Sequence, residues 1–193
     1  MKSINALTGF VAIIALMSMA SVGMAGSYVA GFGGLNWDNV GKGLTSDTGY
    51  VMGGAFGSDV PSIKGLKAEV ELAFRSSDVS IPWGLSAKHE TTTIMGNLVY
   101  DVDLGSEYIR PFLVGGIGYG VNKGIIENLS VASLESAGFS WQVGAGLSTP
   151  LVEGVDASIE YRYLTTPEIQ AFGYQAAGGD NSSVLIGISM RLN

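Results

Sequence analysis

The most regular feature of the sequence is an alternation of apolar and polar residues with a period of two. Within 155–163 the odd positions hold Val, Ala, Ile, Tyr and Tyr, whereas the even positions hold Asp, Ser, Glu and Arg. Successive side chains of a β-strand point to opposite faces, so this segment predicts a strand with one apolar and one polar face. A helix would mix the two sets of residues on every face.

The alternation returns along most of the chain and predicts eight strands. Five more segments show the alternation clearly, namely 66–75, 94–102, 109–121, 139–148 and 184–192. Two glycine-rich segments, 27–36 and 47–57, show it weakly. Short links are predicted near 58–65, 103–107 and 150–154, and longer links near 37–46, 76–90, 122–137 and 165–182. Short links on one side and long links on the other are typical of an outer-membrane barrel. We therefore expect an all-β protein, a closed eight-stranded antiparallel up-and-down transmembrane β-barrel.

Charges on the polar faces bear on the choice between a soluble and a membrane barrel. A soluble barrel buries its apolar face, whereas a transmembrane barrel turns that face to lipid and encloses the polar one. The polar faces hold five basic and five acidic residues, a balance that suits an enclosed interior, because buried charges are costly unless they are paired. The predicted interior network consists of Lys67, Glu69, Glu71, Arg75, Arg110, Glu160, Arg162 and Arg191, and the other two acids are Asp101 and Asp156.

Aromatic residues fall near both ends of the predicted strands. Tyr and Trp are enriched at the two membrane–water interfaces, although aromatic residues also favour strands for packing reasons alone. The predicted interface residues are Tyr28, Tyr100 and Tyr108 near one rim and Tyr119, Trp141, Tyr161 and Tyr163 near the other.

Composition narrows the class of protein further. Only 14% of the 193 residues are charged, glycine accounts for 29 of them, and the formal net charge is −7. Glycine at this frequency disfavours a helical bundle, since each one costs about 1 kcal/mol in a helix relative to alanine. The acidic balance argues against a nucleic-acid partner, which would need a basic surface. The absence of cysteine excludes disulfides and thiol chemistry.

The first 25 residues form a separate segment. Lys2 precedes an apolar stretch at 10–19, and small residues stand at Gly23 and Ala25. This arrangement predicts a secretory signal peptide over 1–25 that is cleaved after Ala25, followed by a barrel domain over 26–193. A spanning helix would need about 20 predominantly apolar residues, and polar residues interrupt this stretch.

Several short motifs connect the chain to a known family. They are the signal ending at Ala25, the opening at 28–34, and the stretches 111–119, 160–163 and 187–192. With these motifs the sequence resembles the small eight-stranded outer-membrane barrels of Gram-negative bacteria, such as the opacity-type surface proteins and the membrane domain of outer-membrane protein A. The resemblance implies a location in the outer membrane, contact with outer-membrane lipid, and insertion by the barrel-assembly machinery.

The expected function is structural or interactive rather than catalytic. The long links would serve envelope integrity, surface contact or adhesion to an extracellular ligand, because loops carry binding function more often than scaffolds do. A small, poorly conducting, porin-like channel is the first alternative, in which the interior network acts as a gate instead of filling the barrel. A lipid-modifying enzyme and a soluble periplasmic barrel for a hydrophobic ligand are the remaining alternatives.

Candidate catalytic and ligand-binding motifs are few. The single histidine, His89, lies in a predicted loop without a nearby serine at the His-x-Ser spacing of lipid A deacylases, so we expect a solvated loop residue. The glycine run at 115–120 lacks the helix and the Lys-Ser/Thr pair of a nucleotide site. The aspartates are scattered and show no calcium-binding spacing. The sequence therefore predicts no catalytic, cofactor or metal site.

Overall fold

The computed structural model describes residues 26–39, 45–46, 48–81, 85–106, 108–126, 133–167, 169–171, 174–177 and 179–192. The predicted signal peptide at 1–25 lies outside the described residues, so its cleavage stays a prediction. Within the described residues, no helix is long and apolar enough to cross a membrane.

Eight long strands make up the described fold. They are β1 (Ser27–Asn39), β2 (Gly49–Asp59), β3 (Leu66–Ile81), β4 (Leu85–Asp101), β5 (Arg110–Ile126), β6 (Ser133–Val152), β7 (Val155–Thr165) and β8 (Asp180–Arg191). Three short strands lie in the links at one end, namely Thr45–Ser46 between β1 and β2, and Ile169–Ala171 and Tyr174–Ala177 between β7 and β8.

The eight strands close into a barrel. Each strand pairs antiparallel with the next one along the chain, from β1 with β2 to β7 with β8. The last strand then pairs with the first, in a register that runs from Tyr28 opposite Arg191 to Asn39 opposite Asp180. Closure satisfies the backbone groups that an open edge would leave without partners in lipid. The predicted eight-stranded antiparallel barrel is confirmed.

The turn between β6 and β7 shows how the sequence sets the short-turn end of the barrel. Only Glu153 and Gly154 separate these two strands, and Gly154 has a φ of 77°. Two-residue hairpin turns of this kind need a positive φ, which glycine adopts without steric cost.

The opposite end differs from the predicted pattern of links. β3 and β4 continue as a paired hairpin to Ile81 and Leu85, and β5 and β6 continue to Ile126 and Ser133. The prediction of loops at 76–90 and 122–137 is therefore wrong, because most of these residues are strand. Apolar alternation fades where a strand leaves the membrane and water reaches it, so the sequence pattern stops before the strand does.

Apolar side chains cover the outside of the barrel. Those more than half exposed on the strands include Ile94, Leu98, Leu113, Ile117, Ile159, Tyr161, Ile186 and Ile188. Their neighbours one position along each strand point into the lumen and are buried or half-buried. This is the orientation of a barrel in lipid, with the apolar face outward.

The lumen is not lined by polar residues alone. Apolar side chains that are at least nine-tenths buried also point inward, and these include Val51, Met95, Val99, Phe112, Val114, Leu164 and Leu185. An eight-stranded barrel is just wide enough to be filled by side chains, and the apolar ones fill space that needs no hydrogen bonds.

Candidate functional site in the barrel lumen

Three charged side chains meet near the middle of the lumen. Arg162 Nη1 lies 2.6 Å from Glu71 Oε2, and Arg162 Nε lies 2.6 Å from Glu160 Oε1. Arg162 Nη2 donates a second bond to Glu160 Oε2 at 2.9 Å. The guanidinium thus binds one carboxylate with two parallel bonds and another with its remaining nitrogen, the strongest form of hydrogen-bonded ion pair in proteins.

Two amide side chains extend this group across the lumen. Asn97 Nδ2 donates to Glu71 Oε2 at 3.0 Å, and Gln142 Nε2 donates to Asn97 Oδ1 at 2.7 Å. We call Glu71, Asn97, Gln142, Glu160 and Arg162 the central cluster. Its members come from β3, β4, β6 and β7, and none is more than 8% exposed. Water therefore has almost no access to this level of the barrel.

Glycines on the inner faces of β5 and β6 make room for the central cluster. A Cβ atom at Gly144 would lie 2.5 Å from Glu160 Oε1, and one at Gly116 would overlap Asn97 Oδ1. Both approaches are closer than a real Cβ atom allows, so larger residues would displace the polar groups. The glycine-rich stretch that resembles a phosphate loop in the sequence thus has a packing role.

Below the central cluster, towards the short turns, the lumen holds paired charges around a cavity of about 100 Å³. Lys67 Nζ lies 2.7 Å from Asp101 Oδ2, Arg110 pairs with Asp156, and the Tyr28 hydroxyl donates to Glu69. The cavity is also lined by apolar side chains of β4 and β5, namely Val99, Phe112 and Val114. A space of this size holds several water molecules.

Above the central cluster, the lumen is crossed by neutral polar side chains and one cation. Thr91 Oγ1 donates to Asn122 Oδ1 at 2.7 Å, and Asn122 Nδ2 donates to Thr166 Oγ1 at 3.0 Å. Thr166 is 3% exposed, so the start of the link after β7 turns into the mouth of the barrel. The cation is Arg75, whose Nη1 donates to Thr93 Oγ1 at 3.2 Å.

A buried histidine lies at this same end. His89 is 3% exposed, and its Nδ1 is 3.0 Å from Asp38 Oδ2, an oxygen that also accepts the hydroxyl of Ser77. The prediction of a solvated loop histidine is wrong, because β4 begins before His89 and turns this side chain inward. Gly49, at the start of β2, lies between β1 and β3 at this level. A Cβ atom on Gly49 would lie 2.7 Å from the Cβ of Ser77. Glycine at this position therefore lets the side chain of Asp38 on β1 reach across β2 to Ser77 on β3.

Seven of the eight predicted interior residues lie at three levels of the lumen, and the eighth lies at one end of the barrel. The structure brings Glu71, Glu160 and Arg162 into contact, places Lys67, Glu69 and Arg110 below them, and places Arg75 above them. Arg191 is the exception, because it is exposed at the end of β8 and forms no ion pair with the described residues. The polar partners Asn97, Gln142 and Asn122 were missed because the charge count ignored neutral amides, although they share the inward parity of their strands.

Most of the predicted interface aromatics lie on the outside of the barrel, and one lies inside. Five of them are at least 38% exposed on the outside of the barrel, namely Tyr100, Tyr108, Tyr119, Trp141 and Tyr161. Tyr163 lies against Trp141, with ring centroids 5.7 Å apart. Tyr28 is wrongly predicted, because it is 8% exposed and faces Glu69 inside the lumen. The glycine-rich alternation of β1 was too weak to assign a face. A membrane-interface role for the other six stays a prediction.

Several solved structures match this chain at low sequence identity. A major outer membrane protein from Thermus thermophilus has a TM-score of 0.60 and 12% identity, over 86% of this chain and 99% of that chain. Ail of Yersinia pestis, solved with the heparin analogue sucrose octasulfate, has a TM-score of 0.49 and 13% identity, over 86% and 97%. OprG of Pseudomonas aeruginosa has a TM-score of 0.47 and 15% identity, over 88% and 97%.

Sequence comparisons give a family but no characterised relative. No curated protein sequence matches the chain significantly. A sequence model described as the outer membrane protein beta-barrel domain matches residues 6–191. With its closed antiparallel barrel, apolar exterior and charged lumen, the chain belongs to this family of outer-membrane β-barrels.

Proposed function

We propose that the protein is a closed, non-catalytic barrel that acts at the cell surface through the ends of its longest strands. The observation that carries this proposal is the contrast between a sealed lumen and a tall exterior. The central cluster excludes water at mid-height, whereas β3 to β6 contain 16 to 20 residues each. About 9–11 residues suffice for a tilted strand to cross the bilayer.

The part of β3 to β6 that exceeds this length is here called the projecting sheet. It extends beyond Arg75, Thr91, Val121 and Ser140, away from the short turns. The rise per strand residue and the usual tilt give it a height of roughly 12–20 Å above the bilayer. By contrast, β1, β2, β7 and β8 contain 11 to 13 residues and end near the membrane surface.

The outer surface of the projecting sheet is charged. A row of cross-strand neighbours, Asp78 opposite Lys88 and Glu90 opposite Lys123 opposite Glu135, runs over β3 to β6 and is here called the outer charge row. Lys88 Nζ lies 3.7 Å from Glu90 Oε1, and Lys123 Nζ lies 3.6 Å from Glu135 Oε1. Charged side chains on the lipid face of a barrel are strongly destabilising, so this row belongs in water.

One side of the projecting sheet presents a strand edge. β6 pairs with β5 from Ser133 onward, but its pairing with β7 begins only at Trp141. In the described residues, Ser133–Ser140 therefore has a strand partner on one edge alone, although Pro167 of the link after β7 packs near Gly138. Strand edges of this kind are used to bind extended segments of other proteins, which supports a surface-contact role.

The test removes the projecting part of one hairpin. Residues 123–135 are replaced by an Asn-Gly turn, and folding is checked by the electrophoretic shift of unboiled, detergent-extracted protein. We expect a folded barrel whose host cells lose the adhesion or aggregation that the full-length protein confers. Unchanged adhesion of cells with the shortened, folded barrel would contradict the surface role.

A channel is the second candidate, because the lumen holds a cavity below the central cluster and is closed from there upward by side chains alone. Planar-bilayer recording separates the two functions. The closed barrel predicts no steady conductance from the native protein, and a channel predicts steady openings whose frequency increases in Glu71→Gln, which weakens the bond to Arg162. Steady openings of the native protein would favour the channel.

Catalysis is not part of the proposal. Asp38 accepts hydrogen bonds from both Ser77 and His89, so the carboxylate lies between the hydroxyl and the imidazole. A serine nucleophile needs the imidazole as its direct partner, with the carboxylate behind it. The arrangement at the mouth of the lumen instead ties β1, β3 and β4 together.

A further inference from the structure

Arg75 is a buried cation whose hydrogen bonding is incomplete. The residue is 1% exposed, and its only side-chain hydrogen bond to the described residues is the one from Nη1 to Thr93. Nε and Nη2 have no partner among the described residues. A buried donor without a partner loses its hydration without replacement, and the loss is larger when the group is charged.

The two unpartnered nitrogens lie on one edge of the guanidinium. Nε–H and the adjacent N–H of Nη2 point in parallel, and this is the edge that receives both oxygens of a carboxylate in a two-bond pair. Arg162 uses the same edge for Glu160, at 2.6 and 2.9 Å. Two guanidinium groups are thus buried, and within the described residues only that of Arg162 has a carboxylate on its two-donor edge.

No carboxylate of the described chain lies within 4.0 Å of Arg75. The oxygens of Glu71 already accept bonds from Arg162, Asn97 and Gln142, and both oxygens of Glu160 are bonded to Arg162. Redirecting either acid to Arg75 would break the central cluster.

The strand neighbours of Arg75 are neutral, and the carboxylates of Glu71, Glu160 and Asp38 act on it from a distance. Its cross-strand neighbours facing the lumen are Val51 of β2 and Thr91 of β4. A second unpartnered donor, Asn181 Nδ2, is buried in the same upper part of the lumen. The central cluster below carries one more negative than positive charge and Asp38 adds another, and these charges offset part of the charge of Arg75 at a distance and limit the affinity for an anion.

We propose that the two-donor edge of Arg75 is a binding site for a small monovalent anion with two oxygens, such as a simple carboxylate, within the upper lumen. Such an anion matches the edge in shape and supplies both missing acceptors. The partial charge compensation makes it a weak site that responds to anion concentration. This inference concerns a different part of the barrel from the projecting sheet and does not depend on the surface role.

The test measures thermal unfolding of the detergent-folded barrel while sodium formate replaces sodium chloride, which lacks paired oxygens, at constant ionic strength. The native midpoint is expected to rise with the logarithm of the formate concentration above the dissociation constant, by about 3 °C once formate reaches roughly ten times that constant. Arg75→Gln should show no rise. The matched control is Arg191→Gln, which removes an exposed arginine and should respond as the native protein does. Equal responses of the native protein and Arg75→Gln, or no native response, would overturn the proposal.

Two further measurements keep the test decisive if Arg75→Gln fails to fold. Arg75→Lys keeps the charge but lacks the two-donor edge, so its apparent affinity for formate should fall about tenfold. Crystals of the native protein soaked in sodium formate should show formate density with its two oxygens within hydrogen-bond distance of Arg75 Nε and Nη2. An unchanged affinity in Arg75→Lys, or ordered water instead of formate at that position, would exclude the anion site.

Discussion

The central cluster and the outer charge row use the same residue types in opposite surroundings. In the lumen, the side chains of Arg162 and Glu71 are 5% and 1% exposed, and each bonds to two or more partners. On the projecting sheet, the side chains of Lys123 and Glu135 are 39% and 56% exposed and form one long ion pair. Burial makes the first set mutually dependent, whereas water can replace either partner of the second.

The largest predicted effect is that of Arg162→Leu. This change leaves Glu71 and Glu160 buried without a cation in contact, which should lower the free energy of unfolding by about 3–5 kcal/mol. Urea unfolding in detergent, followed by tryptophan fluorescence, measures the loss. Arg191→Leu is the control and should have little effect, because Arg191 is exposed at the end of β8. Similar stability of the two variants would show that the central cluster is not a mutually dependent group.

A smaller effect is expected from Glu160→Leu. Arg162 loses two charge-assisted bonds but keeps Glu71, so the free energy of unfolding should fall by about 1.5–3 kcal/mol. The same urea titration applies. A loss as large as that of Arg162→Leu would mean that Glu71 alone does not hold the arginine in place.

Gly144→Ala tests the steric side of the central cluster without changing any charge. The added methyl group would meet Glu160 Oε1, and the carboxylate must move away from Arg162. Overpacking of this kind typically costs about 1–3 kcal/mol. Gly115→Ala is the matched control on β5, since nothing lies within 4 Å of a Cβ at that position. Equal unfolding midpoints for the two alanine variants would contradict the close contact at Gly144.

The smallest effect is expected at the outer charge row. Lys123→Ala should lower the free energy of unfolding by less than about 1 kcal/mol, and the difference should shrink further at high salt. Measurements of native and variant protein at low and high sodium chloride provide the check. A larger loss that does not respond to salt would indicate that this row is more enclosed than its exposure implies.

Alternation in the sequence was sufficient to predict the barrel and the outward face of most strands. Lipid on one side and a narrow lumen on the other impose the same period of two on every crossing segment. Prediction failed where that contrast is weak. The glycine-rich β1 left the side of Tyr28 undetermined, and the ends of β3 to β6 looked like loops because the regular alternation of the spanning segments is interrupted there by charged and small polar residues.

The candidate site was predictable only in part. Glu160 and Arg162 are two residues apart on one strand, so the sequence itself places both on the same face. The contact between Arg162 and Glu71 joins residues separated by 91 positions, and it depends on the registers of the intervening strand pairs. The neutral amides that complete the central cluster carry no charge and were therefore overlooked.

The sequence by itself determined the class of fold, most of the lipid-facing surface and most of the charged side chains enclosed by the barrel, because these follow from which face of each strand meets hydrocarbon. Only the tertiary structure decided which charges become partners. Closure of β8 on β1 fixes the registers and levels of the strands, and these place Arg162 between two carboxylates while leaving the two-donor edge of Arg75 without one.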